Sequence, residues 1–150
     1  MTFPTTLVRG QKLGLLLRRL FLGRGNVESF DNLPIPFRCV ATDIGAVKPV
    51  VFQSGDLALA VRSSMAVPGA FAPVHHEGKI LVDGGIVDNV PIDIARQMGV
   101  DRLIVVDVGQ PLAPAESVDS TFAILLQIHR QGFQQRSQYI PHRRQGVVVD

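Results

Sequence analysis

The chain has 150 residues, of which 46% are hydrophobic and 19% are charged, with one cysteine and a net charge of +2. This length and apolar content argue against a disordered protein, and a lone cysteine excludes a scaffold held together by internal disulfides. The small net charge gives no support for binding to nucleic acid.

The first predicted element is a helix over residues 12–22, because leucines recur there at steps of three and four residues and Gly23 follows. Lys12, Arg18 and Arg19 fall on its other face. We interpret this segment as a helix that packs on a core and exposes a basic face, with contact to a membrane surface as the alternative. The leucine run is too short for a membrane span, which needs about 20 apolar residues.

Two short strands are predicted next, over residues 37–42 and 47–52, since both segments are rich in residues that favour β structure. Asp56 is then placed to cap a helix over residues 57–65, which must end before Pro68.

A hairpin is predicted to follow, with strands over residues 71–76 and 79–82 joined at Glu77 and Gly78. Further along, residues 103–109 form an apolar run without alternation. Such a run is typical of a strand that is buried on both faces of a largely parallel sheet.

The remaining predicted elements are helices over residues 92–98 and 121–133 and a strand over residues 143–150. Strands and helices therefore alternate around the strand at 103–109. This alternation predicts an α/β layered domain.

Asp83 is the strongest candidate for a chemical role. It ends a predicted strand and is followed by Gly84 and Gly85, which leave the backbone uncrowded so that a ligand can approach closely. A plain turn is the alternative of equal weight, because Asp and Gly are common in turns. His75 and His76 point to opposite faces of a strand, so we interpret them as part of an exposed hairpin tip and not as a metal site.

The sequence contains none of the common nucleophile or phosphate-binding motifs. The pentapeptide Gly-x-Ser-x-Gly, the Gly-x-Gly-x-x-Gly turn and the P-loop are all missing from it. Ser54, Ser63 and Ser64 are the serines nearest to Asp83 along the chain, and none of them lies in such a turn.

Three segments, in their order and spacing, resemble the patatin-like phospholipases. They are residues 33–43, 62–74 and 81–91, with the sequences LPIPFRCVATD, RSSMAVPGAFAPV and LVDGGIVDNVP. The resemblance covers most of residues 7–112 and implies a three-layer α/β/α domain with a largely parallel central sheet. Because the family's glycine-rich loop and serine turn precede this region, it also implies that residues 1–150 are one partial domain whose amino-terminal portion is missing, with 113–150 adding a helix and a terminal strand.

In that family the serine of Gly-x-Ser-x-Gly attacks a lipid ester, and the aspartate of Asp-Gly-Gly or Asp-Gly-Ala acts as the base. The resemblance therefore implies that Asp83 is the base, that Gly84 and Gly85 form its turn, and that no metal or cofactor is needed. The wall of an acyl channel is expected at four apolar residues, with core packing as the alternative: Met65, Val67, Phe71 and Val74. Ser63 and Ser64 are expected to be structural or channel-lining.

The expected function is thus the hydrolysis of lipid acyl esters by a serine–aspartate dyad, with residues 1–150 inactive on their own because they lack the nucleophile. One alternative is a non-catalytic remnant of the fold that binds a lipid or a partner. Another is a truncation product that self-associates through an incomplete sheet. The expected partner is a lipid ester substrate. Peripheral contact with a membrane is a further alternative, and no binding to nucleic acid is expected.

Overall fold

The computed structural model describes residues 11–21, 26–106, 114, 123–124, 127 and 147–149. The chain divides into two compact units, Met1–Val87 and Asp88–Asp150. The observed class is mixed α/β, as the sequence predicts. In the described ranges, no helix is both long enough and apolar enough to cross a membrane.

The first unit contains two helices and six strands in the part of the chain that is described. In chain order they are α1 (Gln11–Leu20), β1 (Asn26–Val27), β2 (Cys39–Asp43), β3 (Lys48–Phe52), β4 (Gly55–Asp56), α2 (Leu57–Ser64), β5 (Val74–His76) and β6 (Lys79–Asp83). Short 3₁₀ helices lie at Phe30–Asn32, between β1 and β2, and at Gly84–Ile86, directly after β6. The predicted helices and strands of this region are confirmed, with ends that differ by a few residues.

A four-stranded sheet with the order β3-β2-β6-β5 forms the centre of the first unit. β2 pairs with β3 from Cys39↔Phe52 to Asp43↔Lys48, and it pairs with β6 from Ala41↔Asp83 to Asp43↔Leu81. β2 is therefore a central strand, and it brings the end of β6 beside Ala41.

The predicted hairpin is confirmed. β5 and β6 are antiparallel, with Val74 opposite Leu81 and His76 opposite Lys79. Glu77 and Gly78 both have positive φ, at 48° and 73°. Two consecutive residues of this kind make the tight turn whose twist matches that of the two strands it joins.

One face of the sheet is covered by α2. The helix begins at Asp56, whose side chain accepts a hydrogen bond from the Leu59 N–H at 3.1 Å, as predicted for a capping residue. The apolar side of α2 then packs against alternating residues of the strands. The buried cluster consists of Phe30, Ala41, Phe52, Leu57, Ala60 and Leu81.

The first helix buries only a narrow stripe. Leu17 is buried, whereas Leu15, Leu16 and Leu20 are exposed together with Lys12, Arg18 and Arg19. The helix ends two residues earlier than predicted. Its basic side chains are exposed, as the sequence pattern predicts.

The second unit contains α3 (Ile92–Gln97), β7 (Leu103–Val105) and β8 (Val147–Val149). Gly99 follows α3 with φ of 76°, the left-handed conformation that commonly ends a helix. β7 and β8 pair with Leu103 opposite Val149. Of the helix predicted at 121–133, Ala123, Ile124 and Gln127 are helical and the other positions lie outside the described residues.

The prediction of a largely parallel central sheet is wrong for the strands described. Every strand pair among them is antiparallel. Parallel neighbours need a crossover of about a dozen residues or more. Here residues 44–47 join β2 to β3 and residues 77–78 join β5 to β6, and turns this short reverse the chain.

The prediction that the strand at 103–109 is buried on both faces is also wrong for its described part. Val105 is buried, but Ile104 is 73% exposed and Val106 is 66% exposed. An apolar run without alternation does not specify how many faces are covered, because that depends on which elements pack on the strand. The single domain predicted for residues 1–150 stays a prediction.

Candidate active site

Asp83 lies where the central sheet meets a tight turn. It is the last residue of β6, and its side chain caps the 3₁₀ helix Gly84–Ile86. The Gly85 N–H donates a hydrogen bond of 2.7 Å to Oδ1 of Asp83. This bond holds the carboxylate of a half-buried residue in one orientation at the end of the strand.

Gly84 is required by the close approach of two backbones. A Cβ built on Gly84 would overlap the carbonyl oxygen of Val40 and would lie 2.7 Å from its carbonyl carbon. Real Cβ atoms essentially never approach other atoms within 3.0 Å. The turn after Asp83 therefore crosses directly over the Val40 peptide, and only glycine fits between them.

The backbone of Asp83 is held from two sides. Its N–H donates to the carbonyl oxygen of Ala66 at 3.0 Å, and its own carbonyl oxygen accepts a bond of 2.8 Å from the hydroxyl of Thr42. Thr42 is fully buried in β2. Consecutive residues of β2 thus support the turn: Val40 lies under Gly84, Ala41 pairs with Asp83, and Thr42 binds the Asp83 carbonyl group.

The segment between α2 and β5, residues 65–73, contacts Asp83 because its Ala66 carbonyl oxygen accepts the Asp83 N–H. It contains Met65, Val67 and Phe71, three of the residues predicted to line an acyl channel, and all three are half-buried. Val74, the fourth, lies in β5 and packs against the buried cluster under α2. The channel itself stays a prediction.

Arg62 braces this same segment. Its Nη2 donates to the Ala72 carbonyl oxygen at 2.8 Å, and its guanidinium carbon lies 5.4 Å from the centre of the Phe71 ring. Burial lowers the pKa of Arg62. Nη1 is buried without a hydrogen-bond partner among the described residues. A cation placed in this way holds the loop by packing as well as by its hydrogen bond.

The nearby serines differ in their access to solvent. Ser63 is fully buried, and its hydroxyl donates to the Leu59 carbonyl oxygen at 2.8 Å within α2. Ser64 is half-buried at the end of the helix, and Ser54 is exposed. The Ser63 hydroxyl is therefore engaged in the helix backbone.

The histidine pair lies on the β5–β6 hairpin. His75 is exposed, whereas His76 is half-buried, with its ring centre 6.1 Å from that of Phe52. His76 Nε2 lies 3.6 Å from a carboxylate oxygen of Glu77. Within the described ranges, no group of three or more His, Cys, Asp or Glu side chains is placed to hold a metal ion.

A cavity of about 750 Å³ opens between α1 and the β4 region of the first unit. Polar residues such as Arg18, Asp56 and Glu77 line it together with Phe21 and Phe52. Asp83 is not part of this lining. The cavity is therefore distinct from the turn at the end of β6.

Comparison with known proteins places the chain in a family. A family model described as patatin-like phospholipase matches residues 3–96, more than half of the chain and including the Asp83 turn. The chain belongs to the patatin-like phospholipase family. The matched region contains all of β1 to β6 and both helices of the first unit.

Several patatin-like relatives share the matched region. An uncharacterized NTE family protein of Mycobacterium tuberculosis is 40% identical over 92 residues, which cover 61% of this chain and 26% of the relative. The patatin-like phospholipase domain-containing protein 6 of Homo sapiens is 35% identical over 112 residues, and protein 7 of Mus musculus is 33% identical over the same length. These matches cover 73% of this chain but 8% of each mammalian relative, so the chain spans a small part of the curated proteins that it matches.

The sequence motif directs attention to Asp83 and its two glycines, but it does not indicate the groups that hold them. Thr42, Arg62 and the Ala66 carbonyl group were not predicted as parts of the site. A hydroxyl within an otherwise apolar stretch of β2 is the one signal that points to Thr42. It becomes informative only when the register of β2 against β6 is known.

Proposed function

We propose that this chain takes part in the hydrolysis of acyl esters of lipids, with Asp83 as the general base for a serine nucleophile. The observation that carries the proposal is the arrangement of Asp83 in a patatin-like chain: its carboxylate is fixed by the Gly85 N–H at the end of a central strand. The names of the mammalian relatives, which describe phospholipase domains, support the same class of reaction.

The proposed step is a proton transfer coupled to acyl transfer. The Asp83 carboxylate takes the serine hydroxyl proton while the serine oxygen forms a bond to the ester carbonyl carbon. The tetrahedral intermediate then collapses, the bond to the alcohol oxygen breaks, and the leaving alcohol takes the proton from Asp83. Water hydrolyses the acyl-serine by the same route, with Asp83 again accepting a proton.

A base of this kind needs a fixed position more than it needs mobility, because proton transfer depends on distance and alignment. Several hydrogen bonds fix Asp83. Its N–H donates to the Ala66 carbonyl oxygen, its carbonyl oxygen accepts from the Thr42 hydroxyl, and its carboxylate accepts from the Gly85 N–H. Gly84 keeps the turn close to β2. These contacts support a preorganised carboxylate.

The nucleophile is proposed to come from a segment outside these 150 residues. The Gly-x-Ser-x-Gly turn that exposes a serine does not occur in the sequence. Ser63 is unsuited to the role because its buried hydroxyl donates to the Leu59 carbonyl group. We therefore expect residues 1–150 alone to show neither turnover nor labelling by a fluorophosphonate probe.

The test uses a chimera in which the aligned region of this chain replaces its counterpart in the human relative, beside the untouched remainder of that protein. Hydrolysis of a long-chain p-nitrophenyl ester and fluorophosphonate labelling are measured. Asp83→Asn is expected to lower the hydrolysis rate by about 10²–10⁴-fold, the usual contribution of a general base.

Asp43→Asn is the matched control. Asp43 also ends a strand of the same sheet, and its Oδ1 accepts the N–H of Gly45, two residues on, at 3.0 Å. Asparagine preserves this bond, so the rate should stay within about twofold of the parent chimera. An Asp83→Asn chimera as active as its parent would refute the proposal, and lipid binding without turnover in the parent would favour the non-catalytic alternative.

A further inference from the structure

The buried hydroxyl of Thr42 lies at the carbonyl group of Asp83, where the chain leaves the sheet. We propose that Thr42 is a positioning residue for Asp83: through its hydrogen bond to the Asp83 carbonyl oxygen, it sets the orientation of the carboxylate without touching a substrate. This inference rests on the proposed role of Asp83 as a base.

The first support is the cost of burying a hydroxyl. Thr42 has no exposed surface, and its neighbours Val40 and Ala41 on β2 are apolar and buried. Valine would fill the same volume without a polar group that has to be satisfied. A hydroxyl at such a position is useful where a specific acceptor lies within reach, and Oγ1 lies 2.8 Å from the Asp83 oxygen.

The second support is the place of that acceptor in the sheet. The ladder between β2 and β6 ends at Ala41↔Asp83, so the Asp83 carbonyl group stands at the boundary between strand and turn. Thr42 pairs with Val82 and reaches across to the next residue along β6. The bond therefore ties the first peptide of the turn to the central strand.

The third support is the short path from this peptide to the carboxylate. The carbonyl group held by Thr42 belongs to the peptide that links Asp83 to Gly84. Gly85, one residue further, donates the N–H that holds Oδ1 at 2.7 Å. A rotation of the 83–84 peptide would move this donor relative to the carboxylate, and Thr42 opposes that rotation.

Two substitutions separate positioning from a purely structural role. Thr42→Val keeps the volume and removes the hydrogen bond, whereas Thr42→Ser keeps the bond and removes a buried methyl group. Both are expected to lower the free energy of unfolding. Thr42→Val leaves the Asp83 carbonyl oxygen without the Thr42 donor, and Thr42→Ser leaves a small cavity. Only Thr42→Val should alter the Asp83 turn.

The first measurement needs no catalysis and uses residues 1–150. Amide hydrogen exchange at Gly85 is followed by NMR in the parent, Thr42→Val and Thr42→Ser chains. Exchange at Gly85 should rise about tenfold in Thr42→Val, because local opening of the turn becomes easier, and should stay within about twofold in Thr42→Ser. Exchange at Leu59, whose N–H is held by the Asp56 cap in another element, serves as the internal reference.

The second measurement uses the active chimera. Thr42→Val should lower kcat about tenfold with KM unchanged, as a displaced base affects the chemical step, and Thr42→Ser should restore most of the rate. If both variants lose activity equally, or if Thr42→Val leaves kcat and Gly85 exchange unchanged, the positioning role is refuted. If Asp83→Asn itself remains active, the proposed function fails, whatever the behaviour of Thr42.

Discussion

Gly84→Ala offers a direct test of the close approach between the Asp83 turn and β2. The added Cβ would lie 2.7 Å from the Val40 carbonyl carbon and 3.3 Å from the Val40 Cβ, while overlapping the Val40 carbonyl oxygen. Since all of these atoms belong to a buried central strand, the turn has to move, and we expect a loss of about 3 kcal/mol in the free energy of unfolding. A loss of this size is a large fraction of the stability of a small domain.

The assay is urea unfolding followed by far-UV circular dichroism, because the sequence has no tryptophan to report by fluorescence. Gly14→Ala is the control with the same added methyl group. A Cβ on Gly14 meets nothing within 4 Å, and the residue lies inside α1, so alanine should stabilise the chain by up to about 1 kcal/mol. If the free energy of unfolding of Gly84→Ala lies within about 0.5 kcal/mol of the parent value, the steric overlap with Val40 is refuted.

Further predictions concern three residues of the first unit. Asp56→Ala should cost about 1 kcal/mol of unfolding free energy in urea, because the cap on the Leu59 N–H is lost, and Asp56→Asn should cost much less. Burial raises the pKa of the Cys39 thiol from 9.0 to about 12, so iodoacetamide at pH 8 should label it far more slowly in the folded chain than in urea, and equal rates would contradict this. As the pH rises, the thiol ionises in the unfolded chain before it ionises in the folded chain. The free energy of unfolding should therefore be constant with respect to this group below pH 9.0 and decline between pH 9.0 and about 12. Arg62→Met should be less destabilising than Arg62→Ala in thermal melts. Both substitutions remove a desolvated charge, but only the methionine side chain is long enough to keep the contact with Phe71.

Local chemistry explains the features that could be predicted from the sequence. Asp56 caps α2 through a donor only three residues away, and Glu77 with Gly78 makes the hairpin within two residues. Gly99 ends α3 by its own conformation. Each of these features depends on neighbours along the chain, so no knowledge of tertiary contacts was needed.

The direction and burial of strands could not be predicted in the same way. Residues 103–105 have the composition of a doubly buried strand, yet Ile104 is largely exposed and the strand pairs antiparallel with β8. The apolar composition of a strand favours its burial. The number of its faces that are covered depends on the elements that pack on it.

For the candidate site, the sequence by itself determined which residues are candidates: Asp-Gly-Gly at the end of a strand points to Asp83 as the proposed base and to the two glycines of its turn. Only the tertiary structure decided what holds them. Thr42 is 41 residues from Asp83 along the chain, and Val40 is similarly remote from Gly84, so their contacts exist only through the register of β2 against β6. The physical reason is that a turn residue is specified by its own backbone requirements, whereas a hydrogen bond or a steric contact between strands is specified by how the sheet pairs.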